Sequence, residues 1–321
     1  MEAIELKNVK KEFKIRRRYN NAIKTFFDHK YDTCVAVNNI NLKIQKGESV
    51  GFIGPNGAGK STTIKMMTGI LQPTEGEIKI LGMNPYKERK KIVRKIGVVF
   101  GQRSQLWWDI PVIDSFNLLA KLYDVTEKEL AKKLEFFNEY LSISKYWKKP
   151  VRQLSLGQKM RAEFVASLLH DPEIIFLDEP TIGLDIIAKN EIRNLVMKIN
   201  EEKKATVILT SHDMIDIERI SHRVVLINDG SILLDNSINE MKEAFGNIQT
   251  MNLILQEELN ELSIPNCDIE RMNSTTWQIR FDHNKTRVNE VINNLMKNYT
   301  IIDLSVAPPS IESIVQKLYY K

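Results

Sequence analysis

Cysteine is scarce: Cys34 and Cys267 are the only two in a chain of 321 residues. Two thiols cannot build a disulfide scaffold, and their scarcity fits a reducing compartment. Long apolar runs are missing as well. The longest, such as residues 174–177 and 224–227, fall far short of the ~20 apolar residues a membrane span requires. The opening Met1-Glu2-Ala3-Ile4-Glu5 lacks the basic-then-apolar pattern of an export signal, so the expectation is a soluble intracellular chain. Charge of one sign is not in excess. The 46 Lys and Arg against 41 Asp and Glu leave a formal +5, which permits contact with anionic surfaces but does not mark a dedicated nucleic-acid binder. Internal repeats and low-complexity linkers are also lacking. What is present is 43% hydrophobic and 27% charged residues, enough to bury a core and about the length of two domains.

The first two-thirds alternate short apolar runs with helical spacing. Residues 49–53, 97–100, 174–177, 206–209 and 224–227 are continuous and rich in β-branched side chains, as buried parallel strands are. Helical patterns such as 190–200 and 213–220 lie between them, which implies an α/β fold with a mostly parallel sheet covered on both faces. Residues 39–46 alternate (Ile40, Leu42, Ile44), and 77–81 follow a Pro73-Thr74-Glu75-Gly76 turn; both read as a flanking antiparallel sheet. About 106–171 reads as an inserted helical subdomain. Domain boundaries are expected at 1–240 and 248–321. The second unit reads as a small α+β domain: a strand at 251–255, a helix, two short strands around 277–281, a helix at 286–297, a strand at 301–306, and a final helix capped by Pro308-Pro309.

The informative stretch is Gly54-Pro55-Asn56-Gly57-Ala58-Gly59-Lys60-Ser61, a full match to the phosphate-loop pattern. Its glycines let consecutive N–H groups point into one concavity, and these hold an anion together with the start of the next helix. Lys60 reaches a terminal phosphate as a point charge, and the Ser61 hydroxyl suits Mg²⁺. About 120 residues downstream, Ile174-Ile175-Phe176-Leu177-Asp178-Glu179 is an apolar strand ending in two carboxylates. Asp178 is expected to hold Mg²⁺ through its water shell, and Glu179 to orient and polarise the attacking water. From these residues alone the chain reads as an ATPase or GTPase.

Further segments narrow the class: Leu154-Ser155-Leu156-Gly157-Gln158, Gln102 after its strand, Pro180-Thr181-Ile182-Gly183-Leu184-Asp185, and His212 in Thr210-Ser211-His212-Asp213. In this order, across about residues 1–235, they resemble the nucleotide-binding subunit of an ABC transporter. Gly101-Gln102-Arg103-Ser104-Gln105-Leu106-Trp107-Trp108-Asp109 and the C-terminal unit look like exporter-type ATPases that pair with a separate permease.

The resemblance implies ATP as ligand and Mg²⁺ as cofactor. It also implies a second copy of the chain stacked head to tail, so that Ser155, Leu156, Gly157 and Gln158 close over the partner's nucleotide. Under it Gln102 contacts Mg²⁺ or the water, His212 the γ-phosphate and Thr62 the α-phosphate, while Asp185 lies at the dimer seam. The expected location is the cytoplasmic face of the membrane, held there by the permease. Leu156 stands where the family usually has Gly, which leaves the closing contact in place with altered packing. Phe13 occupies the expected place of the adenine-stacking aromatic, with Tyr19 and Tyr31 as competitors.

The basic residues between 10 and 24, from Lys10 to Lys24 with Arg16, Arg17 and Arg18 among them, suit a membrane surface or permease face. A solvated charged loop explains them as simply. Trp107 and Trp108 are adjacent and cannot both face one core, which leaves at least one for a permease contact or for the helical subdomain. The histidines show no zinc-ligand spacing with the cysteines. A soluble ABC ATPase acting on ribosomes or DNA is the alternative function; one cassette and no sustained heptads count against it.

Overall fold

The computed structural model describes residues 1–16, 31–101, 104–245, 248–283 and 285–307, with 311–312 and 314–315. The chain divides into two compact units, Met1–Asp235 and Asn236–Lys321.

In the first unit, strands β1 (Glu2–Arg16) and β2 (Tyr31–Gln45) run antiparallel, and β4 (Glu75–Ile80) pairs on the other side of β1. Ile4, Leu6 and Val9 of β1, with Val37, Ile40, Leu42 and Ile44 of β2, point inward and are buried. Their alternation makes this sheet one-sided, wet outside and packed inside.

The central sheet has the order β5-β6-β7-β3-β8-β9, from β3 (Ser49–Ile53), β5 (Ile96–Phe100), β6 (Ile174–Asp178), β7 (Thr206–Thr210), β8 (Arg223–Asn228) and β9 (Ser231–Ser237). The pairs β5/β6, β6/β7, β7/β3 and β3/β8 are parallel. β3 and β7 are buried at every position, which explains their unbroken apolar runs. Because these strands share one direction, their carboxyl ends open on a single edge, where ligands of such sheets collect. Phe100, Asp178, Thr210 and Phe52 sit level in adjoining register there.

Helices supply the rest: α1 (Lys60–Met67), α2 (Arg89–Val93), α3 (Val112–Leu122), α4 (Glu127–Leu141), α5 (Leu156–Leu168), α6 (Ile186–Lys203) and α7 (Met214–Ile220). α4 starts at a capping box built by Thr126 and Glu129, which satisfies two end groups reciprocally. Its Leu130, Leu134, Phe137 and Leu141 form the buried stripe of the helical region.

The second unit holds α8 (Ile238–Phe245), then a four-stranded sheet, β11-β12-β10-β13, from β10 (Ile248–Leu255), β11 (Cys267–Arg271), β12 (Thr276–Asp282) and β13 (Ile301–Ala307). Met251, Leu253, Leu255, Trp277, Ile279 and Phe281 face α9 (Val288–Asn298), which buries Val291 and Leu295 against them. One expectation fails. The segment between β10 and β11 contains no helix. Pro265 disfavours helical backbone just before it, and Leu262 and Ile264, two apart, join the core instead. The Pro308-Pro309 cap lies outside the described residues. Since each unit has its own core, deleting residues 236–321 is expected to leave a soluble first unit with one cooperative melting transition. Aggregation of that fragment would refute the independence of the two cores.

No helix among the described residues is long and apolar enough to cross a membrane.

Candidate active site

The loop after β3 is shaped by backbone crowding. A Cβ on Gly54 would lie 2.2 Å from the Ile227 carbonyl oxygen, and one on Gly59 2.5 Å from that of Ala36. Gly59 sits at φ 106° and caps α1, a conformation other residues rarely adopt. The first turn of α1 carries no acidic side chain and its cap residue no side-chain hydrogen bond, so the helix start keeps its affinity for anions. Pro55, Asn56 and Gly57 are exposed, whereas Ala58, Gly59 and Lys60 are buried. Lys60 Nζ donates to the carbonyl oxygens of Gly54 (2.6 Å) and Pro55 (3.0 Å). Burial lowers its pKa, against the opposing pull of Glu179 and Asp178. Thr62 follows on the first turn of α1, half-buried. Two supports were not legible in the sequence: Gly230 donates to the Ala58 carbonyl (3.0 Å) and accepts from Asn38 N (2.8 Å).

β6 delivers Asp178 and Glu179 to the same edge, but not next to β3, because β7 lies between. The Ser61 hydroxyl spans that gap and donates to Asp178 Oδ1 at 2.9 Å. Thr210 at the end of β7 donates to the same oxygen at 2.7 Å. Ser61 and Asp178 are a hard-oxygen pair. Hard oxygen donors of this kind suit Mg²⁺, with Asp178 acting through the ion's water shell. No group of three or more His, Cys, Asp or Glu suited to a metal occurs among the described residues. Ser61, Lys65, Phe100, Gly101, Asp178, Glu179 and Ile182 line a cleft of about 320 Å³.

Glu179 adopts φ 54°, in the left-handed region. Its N–H lies 3.1 Å from both the carbonyl and the hydroxyl oxygen of Thr210. Its Oε1 is buried and accepts no hydrogen bond, although His212 Nε2 approaches to 3.3 Å. Oε2 accepts from the His212 backbone N–H at 3.3 Å. Burial raises the Glu179 pKa, partly offset by His212 and Lys60, which is the direction a proton acceptor near neutral pH needs. His212 itself is half exposed.

The turn at residues 154–158 opens α5. Ser155 caps α5: its Oγ accepts from Gln158 N at 3.3 Å, while Gln158 Oε1 accepts from Ser155 N at 3.2 Å. The box employs the hydroxyl oxygen as acceptor and leaves its proton able to donate. Leu156 is 51% exposed, and its side chain lies 3.0 Å from where a Cβ on Gly183 would sit. A Cβ on Gly157 would meet Ala188 and Asp185 at 3.8–4.0 Å, so the turn shares a surface with Asp185, the cap of α6.

Phe13 pairs with Cys34 on the β1/β2 hairpin, two residues along from Ala36, whose carbonyl abuts Gly59. Its ring is 37% exposed and lies 5.3 Å from Lys11 Nζ. Tyr31 lies farther out, paired with Arg16; Tyr19 lies outside the described residues, as do Gln102 and residues 17–24 of the basic stretch. Lys10 bonds to Glu12 and Glu75 and Lys11 to the Gln72 carbonyl. Trp107 and Trp108 are 46% and 55% exposed, with Lys159 over the Trp108 ring at 4.9 Å. The buried Glu163 of α5 accepts from Ser104 and, at 2.9 Å, from Gln105 N, and burial raises its pKa. It thereby ties the loop beyond Gln102 to the signature helix.

A glycine-walled anion loop, a hydroxyl–carboxylate pair and an acid beside a histidine on one sheet edge define a phosphate-loop nucleotide-binding protein. The chain matches the ABC transporter family over residues 37–182. It is 30% identical over 218 residues to ABC transporter ATP-binding protein NatA of Bacillus subtilis, covering 68% of this chain and 88% of that one. Linearmycin resistance ATP-binding protein LnrL of the same species is 29% identical, covering 90% and 94%. Methionine import ATP-binding protein MetN 2 of Enterococcus faecalis is 30% identical, covering 85% and 79%. The chain spans only 34% of ABC transporter A family member 1 of Dictyostelium discoideum, to which it is 29% identical. An ATP-binding cassette solved as a dimer in a post-hydrolysis state with ADP and Pi superposes with TM-score 0.62 at 30% identity, over 73% of this chain and 98% of that one. The chain therefore belongs to the ATP-binding, ATP-hydrolysing subunits of ABC transporters.

Proposed function

We propose that this subunit energises a membrane exporter by closing head to tail on a second copy around two molecules of ATP, with hydrolysis reopening the pair and a separate permease converting that motion into transport. The observation that carries this reading is spatial. Ser61, Asp178 and Glu179 line one cleft, and the turn that opens α5 presents an exposed Ser155 and Leu156 beside Asp185. A turn with an available hydroxyl and an exposed helix start is then left to act on another copy's γ-phosphate, where donors stabilise developing negative charge.

Within the cleft the chain's own residues divide the work. The loop N–H groups and Lys60 bind the phosphates, Lys60 exchanging two carbonyl partners for phosphate oxygens, and Thr62 serves the α-phosphate. Ser61 and Asp178, with Gln102, would hold Mg²⁺, which neutralises charge on the phosphate oxygens. Glu179 accepts a proton from water, and His212 holds the γ-phosphate beside it. Phe13 stacks on adenine, and Asp185 lies at the seam between copies. Trp107 and Trp108, half exposed, offer anchors to the permease, and the basic stretch that begins at Lys10 would add affinity for an anionic membrane surface. The proposed location is therefore the cytoplasmic face of the membrane. LnrL is named for resistance and MetN 2 for import, so the direction rests on the stretch from Gly101 to Asp109, and transport into inside-out vesicles tests it.

Ser155→Arg tests the shared site. It is expected to abolish ATP turnover while ATP affinity of the isolated chain stays within about twofold, since the phosphate loop is untouched. The loss of the cap costs only ~1 kcal/mol. Loss of both turnover and affinity would show that the turn serves its own chain.

A further inference from the structure

Below Glu179 and His212 lies a buried polar cluster that the scheme above does not use. Asp216, on α7, is fully buried. Its carboxylate accepts from the Thr181 hydroxyl, from the Ser211 hydroxyl at 2.7 Å, and from Arg193 Nε at 2.5 Å. Arg193, on α6, is only 4% exposed; it also reaches Asp213 at 3.0 Å and Asn190 Oδ1 at 3.2 Å. Lys189 adds a second cation to Asp213 at 2.7 Å. Thr181 stands two residues after Glu179, and Ser211 one residue before His212. A single carboxylate thus bolts together the two turns that carry the reacting acid and its histidine.

Glu179 requires such a bolt. A side chain at φ 54° is held in a sparsely populated region, and such strain persists only where the surroundings over-determine it. On the near side the restraint is the shared Thr210 contact at 3.1 Å. The carboxylate contributes two long contacts to His212, to its N–H and to its Nε2, each at 3.3 Å. On the far side of the turn, the Thr181 hydroxyl bond to Asp216 is the firm attachment. Released there, the turn can relax toward ordinary backbone angles and carry the Glu179 carboxylate away from the His212 loop. As a device for stability alone a buried ion pair is weak, because apolar replacements of like volume often serve as well. Its value here is that it fixes two loops in one geometry.

We infer that Thr181, Ser211 and Asp216, with Arg193 neutralising the buried carboxylate, are positioning residues for ATP hydrolysis, holding the Glu179 carboxylate against the His212 loop. This rests on the reading of Glu179 as the water-activating group.

Asp216→Ala strips three donors of their acceptor and leaves Arg193 buried without its main partner, so it is a poor test. Thr181→Val keeps shape and removes one hydroxyl, leaving the ion pair intact. In the full-length chain, with its permease where purified together, Thr181→Val is expected to lower kcat about 10-fold or more, as sub-ångström to ångström displacement of a reacting group does. KM for ATP is expected to stay within about twofold, because the phosphate loop is untouched. Ser211→Ala is expected to behave alike, and Thr181→Ser, which restores the hydroxyl, to recover at least half of kcat. A Thr181→Val kcat within twofold of wild type would overturn the inference. So would a loss that Thr181→Ser does not recover, or one matched by a rise in KM or by unfolding at the assay temperature, which marks a merely structural role. Glu179→Gln assayed alongside separates the two readings. If it turns over normally, the assignment of Glu179 fails; if it is inactive while Thr181→Val is normal, only the bolt fails.

Discussion

Glu179→Gln is expected to reduce ATP turnover by about 10³-fold, the scale of a lost general base, while leaving ATP binding intact. The amide keeps the size of the side chain and its acceptor toward the His212 N–H, but it cannot take a proton from water. Its neutrality also removes the charge at the half-buried site whose ionisation burial already disfavours. The variant is therefore expected to accumulate as an ATP-bound dimer, read by size-exclusion chromatography with ATP and Mg²⁺ and by a stopped phosphate-release assay. Normal turnover would remove Glu179 from the chemistry. The wild-type pH profile supplies a second check. Because burial raises the Glu179 pKa, the ionised form needed for proton abstraction is lost as pH falls through that raised value. The acid limb of kcat is thus expected above the ordinary carboxylate range, and to be missing from the residual rate of Glu179→Gln.

Lys60→Ala is expected to weaken ATP binding by about 100-fold, the equivalent of one strong charge-assisted contact at ~3 kcal/mol. Lys60 Nζ is folded onto the Gly54 and Pro55 carbonyls, so the substitution also takes donors from the loop itself. Burial lowers the Lys60 pKa, and a phosphate beside it restores the preference for the charged form. Titration with a fluorescent ATP analogue measures the loss. Unchanged affinity would discredit the loop as the phosphate site, whereas a lower melting temperature with unchanged affinity would assign Lys60 to loop stability alone.

Much of this site is legible in residue order because its chemistry is local. The phosphate loop needs glycines where a Cβ would strike the Ile227 or Ala36 carbonyl, and it needs Lys60 and Ser61 immediately after them. The carboxylates must end a buried strand, so 174–177 announces Asp178 and Glu179. What was not legible depends on long-range contact. Thr210 lies 32 residues from Asp178 yet holds its Oδ1, and Thr181 lies 35 residues from Asp216; no periodicity links either pair. The missing helix before β11 shows the opposite failure, where a helix-like composition was overridden by Pro265 and by two side chains two positions apart that reach the core.

Sequence alone determined which groups this protein can offer a triphosphate and in what order they come, because a nest of N–H groups, a lysine and strand-end acids are short-range arrangements specified by neighbouring residues. Tertiary structure decided how those groups meet. It placed β7 between the loop strand and the acid strand, let Ser61 and Thr210 converge on one carboxylate oxygen, and bent Glu179 into a left-handed turn bolted through Asp216. It also set the turn that carries Ser155 beside Asp185, the cap of α6. Sheet order and side-chain convergence are products of packing among segments far apart in the chain, and residue spacing carries no trace of them.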